Sequence, residues 1–209
     1  MTDQFAVRAS LQSNEELQNR IATREKYLPE TTEASVAELQ KRGHVFTEEE
    51  LDVINQDIAA QRENAALPYN GFGGASGNHK KTVVFDLDAP AFYSRRAIWG
   101  FSIFCSTLFG SAMLAINLGK IKNYKGVFWT LLFGTAFTTA QILIGNTLTG
   151  SSSIAYLGGF VGGLCLDYFF WKQFIGNATF YRERPIWGPL IVALVLLGLF
   201  VLAIIFSPQ

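Results

Sequence analysis

From Ala97 onward the sequence is a succession of long apolar runs separated by short polar joints. The runs cover residues 97–118, 127–145, 154–171 and 186–206. A helix needs about 20 apolar residues to cross ~30 Å of hydrocarbon, and each run meets or approaches that length. A single run could be a buried helix of a soluble core. Four in succession predict an all-α protein whose residues 97–209 form a membrane four-helix bundle. No apolar segment interrupts the first 96 residues, so no signal peptide is expected there.

The overall net charge of zero is a cancellation. Residues 1–66 hold seven Lys/Arg against thirteen Asp/Glu, a net of −6, and the rest of the chain holds ten against four, a net of +6. No block is basic enough to suggest nucleic acid. Residues 1–66 read as a mostly helical soluble region. Ser13 with Glu16 and Thr47 with Glu50 have the capping-box form, and Phe46 with Leu51 has the spacing of a hydrophobic staple. Pro29 is placed to open a helix and Gly43 to end it. Apolar positions such as Leu17, Ile21, Leu51, Ile54 and Ile58 are few, which predicts a thin core that packs on a partner or a second copy. Residues 67–96 read as a Gly-rich linker and juxtamembrane segment, with Asp86 and Asp88 as linker polarity rather than metal ligands.

Lipid gives apolar helices no hydrophobic reason to associate, so small residues mark the packing faces. These are Ser102, Ser106 and Gly110 in the first run, and Gly134 with Thr130 and Thr138 in the second. In the third they are Ala155, Gly159 and Gly163, with a second register at Gly158 and Gly162. Steps of four from Ala155 lead on to Asp167 and Trp171. Asp167 is therefore expected to face a neighbouring helix near the interface, with Lys120, Lys122 or Lys172 as partner. Asn117 and Gln141 are the other polar residues inside the runs that could line a path.

Sidedness is contested within the sequence. Four spans would put the basic loops 119–126 and 172–185 on one face, and the tail with Lys80, Lys81, Arg95 and Arg96 on the other. The positive-inside rule favours the loops as cytoplasmic, whereas the charged tail resists export. The tail decides the expectation: an inner-membrane protein with both termini cytoplasmic.

Catalytic constellations are missing from the spans. His44 and His79 both precede them, the Ser151–Ser153 run lacks the setting of an intramembrane serine protease, and no zinc motif occurs. Cys105 and Cys165 read as small buried hydrophobes. No catalytic, cofactor-binding or metal residue is assigned, and no cofactor is expected.

Two stretches, YLPETTEASVAELQKRGHVFTEEEL and YSRRAIWGFSIFCSTLFGSAMLAINLGKIKNYKG, carry a family resemblance. The first resembles a short helical module that precedes membrane segments in many bacterial proteins. The second resembles the first span and loop of uncharacterised bacterial multi-span inner-membrane proteins. The resemblance implies a bacterial inner-membrane location and supplies no catalytic residue. The expected function is a non-enzymatic anchor, scaffold or accessory subunit in the lipid bilayer. It would present residues 1–66 to a protein partner or to another copy as a homo-oligomer. The alternative is a small transporter or channel component built around Asn117, Gln141 and Asp167.

Overall fold

The computed structural model describes residues 2–67, 82–147, 152–176 and 178–206. The chain is mostly helical, as an all-α reading requires. It divides into two compact units. The first takes the described residues up to 67 together with 82–90, Gly176 and 178–182; the second takes 91–175 and 183–206.

The first unit contains α1 (Thr2–Ser10), α2 (Asn14–Ala22), α3 (Pro29–Lys41) and α4 (Glu48–Ala66). Both capping boxes form: Ser13 accepts from the Glu16 N–H and Thr47 from the Glu50 N–H, while each glutamate reaches back to the cap. Pro29 starts α3, and Gly43 leaves its end at φ 91°, a conformation only glycine adopts without strain. The core is better filled than its apolar count suggests. Ala9, Leu17, Ile21, Leu39, Ile54 and Ile58 form one buried cluster with Ala34, Val36 and Phe46 against it.

Polar ties complete this unit. Arg42 donates to the carbonyls of Gln12 (2.6 Å), Ser10 (2.9 Å) and Ala9 (3.3 Å), and so satisfies the open C-terminal end of α1. Residues 82–90 are packed structure rather than linker. Asp86 is buried and accepts from the Thr31 hydroxyl (2.5 Å) and the Leu28 N–H (3.3 Å). It thereby caps α3 from far along the chain, where the helix dipole favours a carboxylate. Arg8 pairs with Asp88. The loop after Gly176 also belongs here: Tyr181 bridges Thr82 and Val84 through backbone bonds of 2.9 and 3.0 Å. The Gly-rich part of the expected linker, 68–81, lies outside the described residues.

The second unit holds α5 (Arg95–Phe104), α6 (Thr107–Lys120), α7 (Tyr124–Thr147), α8 (Ser152–Cys165), a π-helical turn at Leu166–Trp171, α9 (Lys172–Phe174) and α10 (Trp187–Ile205). The run 97–118 is not one helix. Ser106 adopts an extended backbone, with its hydroxyl accepting from the Phe109 N–H as the cap of α6. The chain then folds back. The Tyr93 backbone bonds to Asn117, although a continuous helix would separate them by about 36 Å. Phe101 stacks on Phe109 at 5.2 Å, and a Cβ on Gly110 would lie 2.9 Å from the Ile98 carbonyl. α5 and α6 are thus an antiparallel hairpin, about 15 and 21 Å long at 1.5 Å per residue.

Lys122, at φ 57°, turns the chain into α7, which runs antiparallel to α6: Gly126 meets Leu118 and Gly134 meets Ser111. Residues Tyr124–Gly145 of α7 are long and apolar enough to cross a membrane. Among the described residues this is the one helix that meets that length, with a shorter apolar stretch at Trp187–Leu199 in α10.

Candidate functional site

The small-residue faces converge on the hairpin. A Cβ on Gly159 would stand 2.6 Å from the Ser102 carbonyl, and one on Gly163 would stand 2.6 Å from the Trp99 ring. Gly110 sits directly over Ser102, which is fully buried and donates to the Ile98 carbonyl at 2.8 Å. α8 therefore lies antiparallel to α5 at backbone contact. Ser106 turns out to be the cap at the hairpin tip rather than a packing position. Ala155 is in α8, but its side chain lies outside the described residues.

One turn beyond Gly163, the stripe reaches Asp167, whose partner is Arg95 on α5. The lysines 120, 122 and 172 expected from the sequence do not pair with it. Arg95 Nη1 lies 3.3 Å from Asp167 Oδ1, and both side chains are almost fully buried. The Arg95 guanidinium also sits 5.0 Å from the centre of the Trp171 ring, whose edge meets Phe92 at 6.2 Å. Leu166–Trp171 is wound as a π-turn, and both Asp167 and Trp171 meet the one guanidinium. Neither Asp167 oxygen has a hydrogen-bonding partner among the described residues, so Arg95 meets the carboxylate as an opposite charge.

The other two expected polar residues have separate tasks. Asn117 is wholly buried and closes the base of the hairpin: its amide donates to the Tyr93 carbonyl (2.9 Å) and its oxygen accepts the Tyr93 N–H (2.8 Å). Gln141 accepts from the Thr107 hydroxyl at 3.3 Å. The neighbouring Thr138 hydroxyl accepts the Leu108 N–H at 3.0 Å, so α7 satisfies a donor that the helix break leaves open. Asn117, Gln141 and Asp167 thus have three different partners at the base, tip and flank of the hairpin.

Arg95 and Ser106 are the functional residues that sequence reasoning missed in these roles. The signal for Ser106 was present, because Ser and Thr favour helix caps over interiors. The signal for Arg95 was weaker: an arginine at a span entrance ordinarily reads as an interfacial anchor.

Among the described residues, no three His, Cys, Asp or Glu side chains gather as a metal-holding group. A groove of about 1030 Å³ lies between α5, the start of α6 and α10, and its lining includes Ser94, Arg96, Phe104, Cys105 and Leu197. No family model, curated protein or solved structure matches this chain.

Proposed function

We propose that the chain is an integral membrane scaffold that displays an acidic helical unit on the cytoplasmic face. The observation that carries the membrane part is side-chain exposure. Phe128, Trp129 and Leu143 on α7, and Ile191, Leu194, Val195 and Leu199 on α10, are each more than half exposed. Soluble monomers rarely show continuous apolar patches beyond a few hundred Å²; hydrocarbon removes the penalty.

In this reading α7, the α8–α9 segment and α10 cross the bilayer, and the α5–α6 hairpin enters and leaves from one side. About 15–21 Å of hairpin penetrates part of a ~30 Å core. Non-helical backbone at that depth is tolerated where protein buries it, as Thr138 and Ser106 do at the tip.

The hairpin also removes the conflict over sidedness. Arg95, Arg96, Lys120, Lys122, Lys125, Lys172 and Arg184 all fall at the same end of the second unit. The Tyr93–Asn117 bonds, the Asn123–Phe174 bond (3.3 Å) and the Arg184–Tyr93 contact (4.8 Å) support that placement. The positive-inside rule then agrees with a cytoplasmic N-terminal tail. The C-terminus goes to the opposite face, in place of the expectation that both termini are cytoplasmic.

The scaffold role rests on how the polar groups are used, since Asn117, Gln141 and Asp167 each make a structural contact. The binding face lies on α4, where Val53 is half exposed beside Glu49 and Asp52. Crosslinking in cells tests it: full-length protein with Glu49→Lys and Asp52→Lys should lose a specific crosslinked partner or homo-oligomer that the unmodified protein captures. An unchanged crosslinking pattern overturns the display role.

A second reading, a transport component, is favoured by the hydroxyl and amide groups of Thr107, Thr138 and Gln141 at the hairpin tip. Gln141→Leu should then abolish solute flux in proteoliposomes without loss of fold, and unaltered flux excludes it.

A further inference from the structure

We infer that Lys122, Lys125 and Lys172 hold the headgroup of an anionic phospholipid with two phosphates, against the exposed aromatic start of α7. This rests on the membrane reading given above and adds a ligand to it.

Three observations converge. The first is the turn that carries Lys122. The Lys122 N–H donates to the Gly119 carbonyl (3.1 Å) and the Asn123 N–H to the Leu118 carbonyl (3.0 Å), the paired bonds of a Schellman end to α6. The left-handed position of that motif is ordinarily glycine, with asparagine next. Here it is Lys122, at φ 57°, the one non-glycine residue with positive φ among the described residues. Backbone strain of this kind is kept where the side chain it carries has a use.

The second is charge. Asn123 ties the turn to α9: its side-chain amide donates to the Phe174 carbonyl at 3.3 Å, and its side-chain oxygen accepts the Gly126 N–H at 3.0 Å. Lys122 and Lys125 therefore rise from backbone adjoining that of Lys172, and all three are exposed. None of the three has an acidic partner among the described residues. Of the four acids after residue 66, Asp86 caps α3, Asp88 pairs with Arg8 and Asp167 with Arg95, which leaves Glu183. Three ammoniums outnumber the single charge of one phosphodiester, and a headgroup with two phosphates matches them better.

The third is the surface that adjoins the charge. On α7, Trp129 follows Lys125 and Phe128 follows Tyr124 at one-turn spacing. Tyr124, Phe128 and Trp129 are 71%, 61% and 55% exposed. The lysines thus stand where the apolar surface of the one described helix of spanning length begins. An amphiphile sets its phosphates on the lysines and its acyl chains along the rings. A soluble phosphate compound, or the acidic residues of a second copy, would use the charge and leave the aromatic surface uncovered. The lipid uses both.

The test reconstitutes the full-length protein in phosphatidylcholine vesicles with cardiolipin or phosphatidylglycerol, extracts it in mild detergent and examines it by native mass spectrometry. One cardiolipin should remain per chain, in preference to phosphatidylglycerol. Lys122→Gly should lower that retention about fivefold while the melting temperature holds or rises, because glycine fits the left-handed turn. Lys172→Gln should lower it by a similar factor, whereas Lys41→Gln, at an exposed position of the first unit, should leave it unchanged. Undiminished retention in either Lys122→Gly or Lys172→Gln overturns the site, as does an equal loss in Lys41→Gln. Inorganic pyrophosphate that displaces cardiolipin at equal concentration overturns the lipid as occupant, and so does a dimer, rather than a bound lipid, that the two substitutions dissolve. An alkaline wash of the membranes separates this from the parent reading. A chain released by the wash contradicts the membrane assignment; one that stays without bound lipid contradicts only the lysine site.

Discussion

Asp167 and Arg95 illustrate what a buried charge demands. Removing an ion from water costs several kcal/mol, and only the opposite charge at close range offsets it. Asp167→Asn should therefore destabilise the protein by about 3–5 kcal/mol, because it removes the negative charge opposite a buried guanidinium. The double variant Asp167→Leu with Arg95→Met should recover most of that loss. Thermal unfolding in detergent reads both; a single variant as stable as the unmodified chain would mean that the pair is solvated. Arg42 makes the corresponding case in the first unit. Its planar fork serves the Ala9, Ser10 and Gln12 carbonyls together, a geometry one ammonium cannot reproduce. Arg42→Lys should thus cost about 1–3 kcal/mol in chemical denaturation, nearly as much as Arg42→Ala.

At the level of elements, the glycines divide into two classes that substitution separates. Gly159→Leu and Gly110→Leu force side chains into backbone and should abolish monodisperse protein. Gly119→Ala, where an added Cβ meets nothing within 4 Å, should be neutral or slightly stabilising by helix propensity. Gel-filtration profiles and melting temperatures distinguish these outcomes. The same elements show how far the sequence could be read. Both capping boxes, Pro29 and Gly43 acted locally, through contacts within four residues, so spacing alone identified them. The stripe from Gly159 to Asp167 was legible for the same reason, as one face of one helix. The hairpin was not. Hydropathy registers the apolar run from 97 to 118 but not its direction, and a lone capping serine between two apolar helices leaves no trace in it. Arg95 went unrecognised as the partner of Asp167 because only the fold-back of α5 against α8 brings them together. Asp86 was likewise read as linker, since its role as a cap for α3 depends on a contact 55–58 residues away.

For the molecule as a whole, the sequence divides by charge and the structure divides by packing, and the two boundaries differ. Gly176 and residues 178–182 follow a segment of the apolar half yet join the first unit, so among the described residues the chain passes between the units three times, at 90/91, 175/176 and 182/183. The proposed membrane scaffold turns on whether residues 95–120 cross a bilayer or return. Single cysteines placed at Gln12, Lys122, Lys172 and Pro208, in a chain with Cys105 and Cys165 replaced by Ala, can be labelled in intact bacterial cells with an impermeant maleimide. A returning hairpin predicts that only the cysteine at 208 is labelled, with 12, 122 and 172 protected until the cells are lysed. Labelling at 122 and 172 together with protection at 208 would mean four crossing helices and would contradict the hairpin.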